Sequence, residues 1–255
     1  MSEKDINYEE IESELFRLHN ELRTKPKNFL PKLRELLPHF KDKVFTVPGE
    51  EPIQTFEGVK AVEEAIDFLK TQKPVQELGL NEDLNKACKD HLEDIGLKGM
   101  TTHEGSNGSN IGDRIEKYCE WDGSCAENMD FGFKKAENIL LNMLIDDGVK
   151  ERFQRFNLFN PDFQKIGIAV GEHKIYGICA VVGYCKNVRP IGSEPNDIAD
   201  FISEYIKNTM NRNNKKIFFR KKILMHLIIQ LGLKLIKNPR KLKEKLKKSR
   251  KKFIR

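Results

Sequence analysis

Two apolar runs, KIGIAVG (165–171) and KIYGICAVVGY (174–184), constrain this chain more than anything else in it. Each is rich in Ile and Val, too short and too β-branched to prefer a helix, and only Glu172 and His173 separate them. Such a pair reads as an antiparallel hairpin that must bury at least one face. The cover has to come from upstream, where the apolar spacing is helical. Residues 7–24 place Tyr8, Ile11, Leu15, Leu18 and Leu22 on one stripe, and Pro26 limits the extension. Residues 56–72 repeat the pattern with Val62, Ile66 and Leu69, followed by Pro74. Residues 81–95 follow, with Asn81 as N-cap, Leu84, Cys88, His91 and Ile95 on one face, and Gly96 as the expected stop. A last helix fits 134–146. Between them, residues 38–55 read as irregular and 99–131 as loop-rich with a short helix over 111–118. Early helices and a late hairpin predict an α+β fold in which helices cover a small antiparallel sheet.

Composition changes sharply beyond the hairpin. Residues 211–255 carry eighteen Lys or Arg against the single acid Glu244, whereas the preceding 210 residues carry 27 bases and 38 acids. The overall net charge of +6 therefore averages an acidic body and a strongly basic tail. NVRPIGSEPN reads as a linker, and 196–210 as a short amphipathic helix presenting Ile198, Phe201, Ile202, Tyr205 and Ile206. The expected division is 1–187 for the folded domain, 188–210 for the linker and short helix, and 211–255 for a basic helical tail.

The start, MSEKDINYEE, lacks an apolar h-region, and Ser2 stands where myristoylation needs glycine. No run of 18 apolar residues suggests a transmembrane helix. The expectation is a cytoplasmic chain, peripheral at a membrane if its tail takes it there. Five cysteines have no metal-finger spacing. Cys179 and Cys185 would lie ~20 Å apart along one strand, too far to bridge. Cys119 and Cys125 flank the turn-like EWDGS and are a conceivable pair, but reduced thiols are the expectation without a secretory signal.

His103, in the Gly/Ser/Asn loop TTHEGSNGSN, is the residue best placed for chemistry, because such loops present side chains to solvent. Glu127, in SCAENMDFG, is its candidate carboxylate partner. A lone loop His and a lone Glu are ordinarily surface residues, and spacing alone does not join them. His91 reads as a core-edge helix residue and His19 as structural. Ser106 and Ser109 lie near His103, but no G-x-S-x-G elbow is present.

The segments LHNELRTKPKNF, TFEGVKAVEEAIDFL, LNEDLNKACKDHLEDIG, THEGSNGSNIGDRIEKYCEWDGSCAEN, LIDDGVKERFQRFNLFNPDFQKIGIAVGEH and YGICAVVGYC, taken in order, resemble the CAP superfamily. That superfamily is named for cysteine-rich secretory, antigen 5 and pathogenesis-related proteins. The likeness covers residues 8–187 and is nearest to the bacterial and protist branch with few cysteines. It implies an α-β-α sandwich and a central cleft where two His and two acids can hold a divalent metal such as zinc. His103 matches the first His, and Glu127 the acid of the Gly-Glu-Asn motif, here Ala126-Glu127-Asn128. The second His belongs to an Arg-Gly-His-Arg motif; Arg152 and Arg155 are present, but Phe153 and Gln154 replace Gly and His. Asp146, with Asp147 beside it, matches the remaining acid. An amide is a poor zinc ligand beside imidazole, so the expected metal site, His103 with Glu127, binds weakly or not at all. The resemblance also implies lipid or sterol binding and self-association. The leading expectation is a non-catalytic binding protein. The alternatives are a metal-assisted or His/Glu-based hydrolase and a pure protein-interaction module with a vestigial cleft.

The tail lies outside the resemblance. Ile223, Leu224, Leu227, Ile228, Leu231 and Leu235 recur at helical intervals between Lys221, Lys222 and Lys234. An apolar face flanked by lysines suits an interfacial helix on an anionic bilayer. A protein partner with an acidic groove ranks second, nucleic acid third because it gains nothing from the apolar face, and folding back on the acidic body fourth. Residues 215–252 should carry the chain onto anionic vesicles, each Lys or Arg adding up to ~1 kcal/mol. Charge alone is screened at high salt, so the apolar face should leave a salt-resistant fraction that Leu227→Ser, Ile228→Ser and Leu231→Ser together remove. Liposome co-sedimentation of the full chain, the 1–210 truncation and the triple variant checks this. Equal sedimentation of the truncation would overturn it.

Overall fold

The computed structural model describes residues 6–46 and 52–193. The expected helix at 196–210 and the tail at 211–255 lie outside the described residues.

Helix α1 (Tyr8–Thr24) starts where the Asn7 side chain accepts the Glu10 N–H, and it buries the predicted stripe of Ile11, Leu15, Leu18 and Leu22. A 3-10 turn leads into α2 (Leu30–Leu36). Where irregular chain was expected, β1 (Phe40–Lys41), β2 (Val44–Phe45) and β3 (Ile53–Gln54) form a small antiparallel sheet. Helix α3 (Val59–Thr71) follows, then the two-residue strand β4 (Gly79–Leu80) and α4 (Glu82–Lys98). Asn81 caps α4 through the Leu84 N–H. The expected stop at Gly96 is displaced: α4 runs on to Lys98, and the left-handed residue that ends it is Gly99, at φ 69°. Gly96 serves packing instead, since a Cβ there would lie 2.5 Å from the Glu172 carbonyl oxygen.

The remaining elements are α5 (Ile111–Ile115), β5 (Glu120–Phe131), α6 (Ala136–Ile145), α7 (Phe153–Phe159), β6 (Lys165–His173) and β7 (Gly177–Arg189). The hairpin forms as expected, but Glu172 and His173 pair within β6, and residues 174–176 make the turn. Strand β7 continues to Arg189, so part of the presumed linker is sheet. The main correction concerns 99–131, whose second half is the twelve-residue strand β5 rather than loop. In the main sheet the order is β4-β6-β7-β5, with β4 parallel to β6 and the other pairs antiparallel.

The sheet buries both faces, and the side chains explain which helix goes where. Ile166, Ile168 and Val170 of β6, with Ile178, Ala180, Val182 and Tyr184 of β7, meet α1, α3 and α6 in the larger core. Small residues occupy the opposite face, and α4 lies against them. A Cβ on Gly167 would sit 2.3 Å from the Leu84 backbone carbon, one on Gly183 2.9 Å from the Cys88 sulfur, and one on Gly171 3.0 Å from Leu92 Cδ2. Leu84, Cys88 and Leu92 are successive i, i+4 positions, so a single ridge of α4 rests along a trough of glycines. The result is an α+β fold arranged as an α-β-α sandwich. No helix among the described residues is long and apolar enough to cross a membrane.

Gly167→Ala must push backbone against backbone, because its Cβ would meet the Leu84 main chain. It should cost ~1–3 kcal/mol or more by overpacking. Gly171→Ala meets only the end of the flexible Leu92 side chain and should cost clearly less. Urea denaturation of the two variants checks the order.

Candidate functional site

Strand β5 sends alternate side chains to opposite faces. Glu127 and Met129 face α4, whereas Asn128 and Asp130 face α6 and α7, where Asn128 bonds Asn157 and Asp130 bonds Asn142. Glu127 lies opposite Gly183 in the β5/β7 register, so no cross-strand side chain crowds it. Its carboxylate is buried, yet three side chains converge on it. Arg114 Nη2 of α5 donates to Oε2 at 2.7 Å, in an ion pair whose side chains are 2% and 3% exposed. His103 Nδ1 lies 3.0 Å from Oε1, with its ring mostly in solvent. His91 of α4 places Nε2 3.6 Å from the same oxygen.

Local sequence explains the convergence. Asn110 and Asp113 form a capping box that starts α5, which points Arg114 back into the fold. The Arg114 guanidinium also donates to the carbonyls of Ser109 (2.8 Å) and His103 (3.3 Å), fixing both ends of the loop that carries His103. His91 Nε2 is 3.0 Å from the Thr102 carbonyl oxygen. A carbonyl only accepts, so Nε2 carries the proton and Nδ1 holds the lone pair. Burial lowers the His91 pKa, against the opposing pull of Glu127, and keeps the ring neutral. His91 Nδ1 and Arg114 Nε are both buried without a hydrogen-bond partner. Both residues line an open cleft of ≈ 400 Å³ together with Asp90, Asp94, Lys98 and Lys117.

Asp146 and Gln154 belong to a different arrangement. Asp146 ends α6 in the left-handed region, at φ 54°, and its Oδ2 accepts the N–H groups of Gln154 (2.9 Å) and Arg155 (3.4 Å). It thereby closes the N-terminus of α7, while burial raises its pKa against those bonds. Gln154 Oε1 accepts the Met129 N–H at 2.9 Å, and the Gln154 carbonyl accepts from Asn128 Nδ2 at 3.0 Å. The family-matched residues thus form two pairs, His103 with Glu127 and Asp146 with Gln154. Among the described residues no hydrogen bond joins one pair to the other. Phe153 is 63% exposed, so its added bulk goes to solvent.

Sequence reasoning missed two members of the first pair's surroundings. His91 was assigned to the core edge; it is indeed 1% exposed, but it also contacts Glu127. Its place on the buried stripe of the helix leading into the His103 loop was the available signal. Arg114 gave none, since a charged residue on a five-residue helix ordinarily faces water. Arg152 and Arg155, noted as retained motif residues, hold the α6–α7 turn. Arg152 pairs with Glu57 and Glu64, and Arg155 donates to the Leu144 and Ile145 carbonyls. His19 is fully buried between the Leu15 carbonyl (2.7 Å) and the Tyr184 hydroxyl (2.9 Å).

The three-layer α-β-α fold is the one the sequence resemblance implied; that Glu127 stands on a strand at the sheet's end, near a loop histidine, is a finding of the structure. The family model for CAP, the cysteine-rich secretory protein family, matches residues 16–186. The chain belongs to the CAP family. Among solved structures it is similar to an extracellular SCP-domain protein from Bacillus anthracis, at 17% identity over 44% of this chain, with a TM-score of 0.36. This chain spans 35% of that protein's length. It is also similar to an outer surface protein from Borrelia burgdorferi, at 21% identity over 51% of this chain and 90% of that one, with a TM-score of 0.39. No curated protein matches the chain.

Arg114 and Glu127 are a buried ion pair, so removing one partner should be far worse than removing both. Arg114→Met should cost ~3–5 kcal/mol, because it leaves a carboxylate buried without its guanidinium. Adding Glu127→Gln should recover part of that loss. A double-mutant cycle by urea denaturation measures it, and simple additivity would show that the pair is not coupled.

Proposed function

We propose that this CAP-family chain is a non-catalytic binding protein, taking a lipid, sterol or protein ligand and held at anionic membrane by its basic tail. One observation carries the non-catalytic part: three of the four family-matched side chains are tied into structural hydrogen bonds. Glu127 Oε2 faces a guanidinium, Asp146 closes α7, and Gln154 holds the backbone of β5. A divalent cation needs several oxygens or imidazoles aimed at one point. Among the described residues no group of three or more His, Cys, Asp or Glu is placed to hold one. The Arg114 charge beside Glu127 further opposes a cation there. These residues do not fit the metal site that the family implies.

Nucleophilic chemistry is equally poorly supplied. His103 and His91 bond to Glu127 and the Thr102 carbonyl rather than to a hydroxyl or thiol. Ser106 Oγ donates to Asp94 at 2.6 Å. Burial pushes the Cys119 thiol up to about 11 and raises those of Cys88, Cys179 and Cys185 further. The membrane part of the reading rests on the tail sequence, where lysines flank a Leu/Ile face. The hydrolase reading keeps one support, the 3.0 Å contact between His103 Nδ1 and Glu127 Oε1, which is half of a general-base arrangement.

Calorimetric titration of the full chain with zinc separates the readings. The wild-type chain should show weak or no binding, and Phe153→Gly combined with Gln154→His should strengthen it. Tight wild-type binding that vanishes in His103→Ala would overturn the proposal and favour the hydrolase.

A further inference from the structure

All five cysteines of the chain are thiols, but the sheet register singles out two of them. In the β5/β7 ladder, Cys125 lies directly opposite Cys185. The Cys185 carbonyl accepts the Gln164 N–H at 3.0 Å, on the β6 side of the strand. A strand residue directs its N–H and C=O to the same side, so Cys185 offers no backbone bond to Cys125. The two therefore occupy a non-hydrogen-bonded site, where antiparallel Cα atoms approach to ~4.5 Å and side chains lie closest. That spacing falls within the range of about 4.4–6.8 Å that a disulfide spans.

The side chains agree with the backbone. Both project toward α4 and α5: Cys185 is buried among Leu84, Ala87, Ile115 and Cys119, and the half-buried Cys125 packs against that cluster. The β5/β7 register shifts between Asp122 and Cys125, and Gly123 sits at φ 79° within the irregularity. Cys125 is thus the first paired residue after a bulge, where β5 has slack to adjust. Burial, reinforced by Cys125 and Cys119, raises the Cys185 pKa, so Cys185 is a slow nucleophile unless its target is held beside it.

We propose that Cys125 and Cys185 form a reversible cross-strand disulfide, with Cys125 the residue that meets a low-molecular-weight disulfide such as oxidised glutathione. In the first exchange the Cys125 thiolate, having lost its proton to solvent, bonds to one glutathione sulfur. The S–S bond of the oxidant breaks and one glutathione thiolate leaves. In the second, the deprotonated Cys185 sulfur attacks the Cys125 sulfur, breaking the mixed disulfide and releasing the second glutathione thiolate. Two protein thiols are oxidised, one small disulfide is reduced to two thiols, and the leaving thiolates take up the protons. The bond ties β5 to β7 two residues from Glu127 and from its register partner Gly183, fixing the strand that carries Glu127.

The spacing of the sequence favoured Cys119 with Cys125, so the test must distinguish the two pairings. Full-length native protein is equilibrated across glutathione redox ratios, quenched with acid, alkylated and mapped by mass spectrometry. The expected product is a Cys125–Cys185 cross-link with loss of two hydrogens, unaffected by Cys119→Ser. Cys185→Ser should trap glutathione on Cys125 as a lasting mixed disulfide, and Cys125→Ser should abolish linkage at 185. The oxidised wild-type chain should unfold at a higher temperature, reversibly with dithiothreitol. A Cys119–Cys125 cross-link, glutathione retained on Cys125 in the wild-type chain, or no product at the most oxidising ratio would each overturn the proposal.

Discussion

The close seating of α4 on the sheet sets the position of everything else in the site. Leu84, Cys88 and Leu92 rest over Gly167, Gly183 and Gly171, at approaches that would not admit a Cβ without displacement. Dispersion contacts at this range are individually weak, but along about two turns of helix they fix the axis closely. The helix then delivers His91 above β5 and directs the following loop so that His103 returns to Glu127. Were Gly167 a larger residue, its side chain would meet the Leu84 main chain and α4 would stand off the sheet. Glu127 would then face a gap rather than two imidazoles and a guanidinium. The opposite face of the same strands carries Ile and Val and tolerates a conventional helix layer. Unequal side-chain size across β6, large on one face and small on the other, is therefore what assigns each helix to its side.

That asymmetry explains what could be read from the sequence. The β6–β7 hairpin was legible because its apolar residues are too dense for anything but buried strands. The helices α1, α3 and α4 were legible because their apolar stripes keep helical spacing. Strand β5 was not, and the reason lies in its residues. Glu127, Asn128 and Asp130 are buried, so the stretch lacks the apolar alternation that marks a strand. Their polar groups find partners across space, in Arg114, Gln154 and Asn142, from segments 12 to 26 residues distant. No local pattern carries that information. Helix α7 escaped for a similar reason: it is seven residues long, and its N-terminal N–H groups find their acceptor in Asp146, outside the helix. Gly96 misled in the opposite way, because glycine serves both for left-handed backbone and for close approach, and here it serves the second.

The resemblance matched His103, Glu127, Asp146 and Gln154 to one cleft, whereas the structure holds them as two pairs, His103 with Glu127 and Asp146 with Gln154. An imidazole at 154 would present a lone pair or a proton at neutral pH. The amide there presents a carbonyl oxygen that accepts the Met129 N–H and an NH₂ group that reaches Asp146 at 3.4 Å. Both ends of an amide can be satisfied at once without any change of charge, which suits a structural link and not a proton relay.

β5 lies at the end of the main sheet's strand order, and the side away from β7 would otherwise present unpaired N–H and C=O groups. An exposed run of that kind is a template for another strand. Gln154 occupies the Met129 N–H, and Asn128 reaches back to the Gln154 carbonyl, so α7 is stitched along that side. Gln154, at the position where the resemblance places a histidine, therefore supplies a cover for a sheet edge. On the other face of the strand the Arg114 guanidinium neutralises the Glu127 charge within the fold.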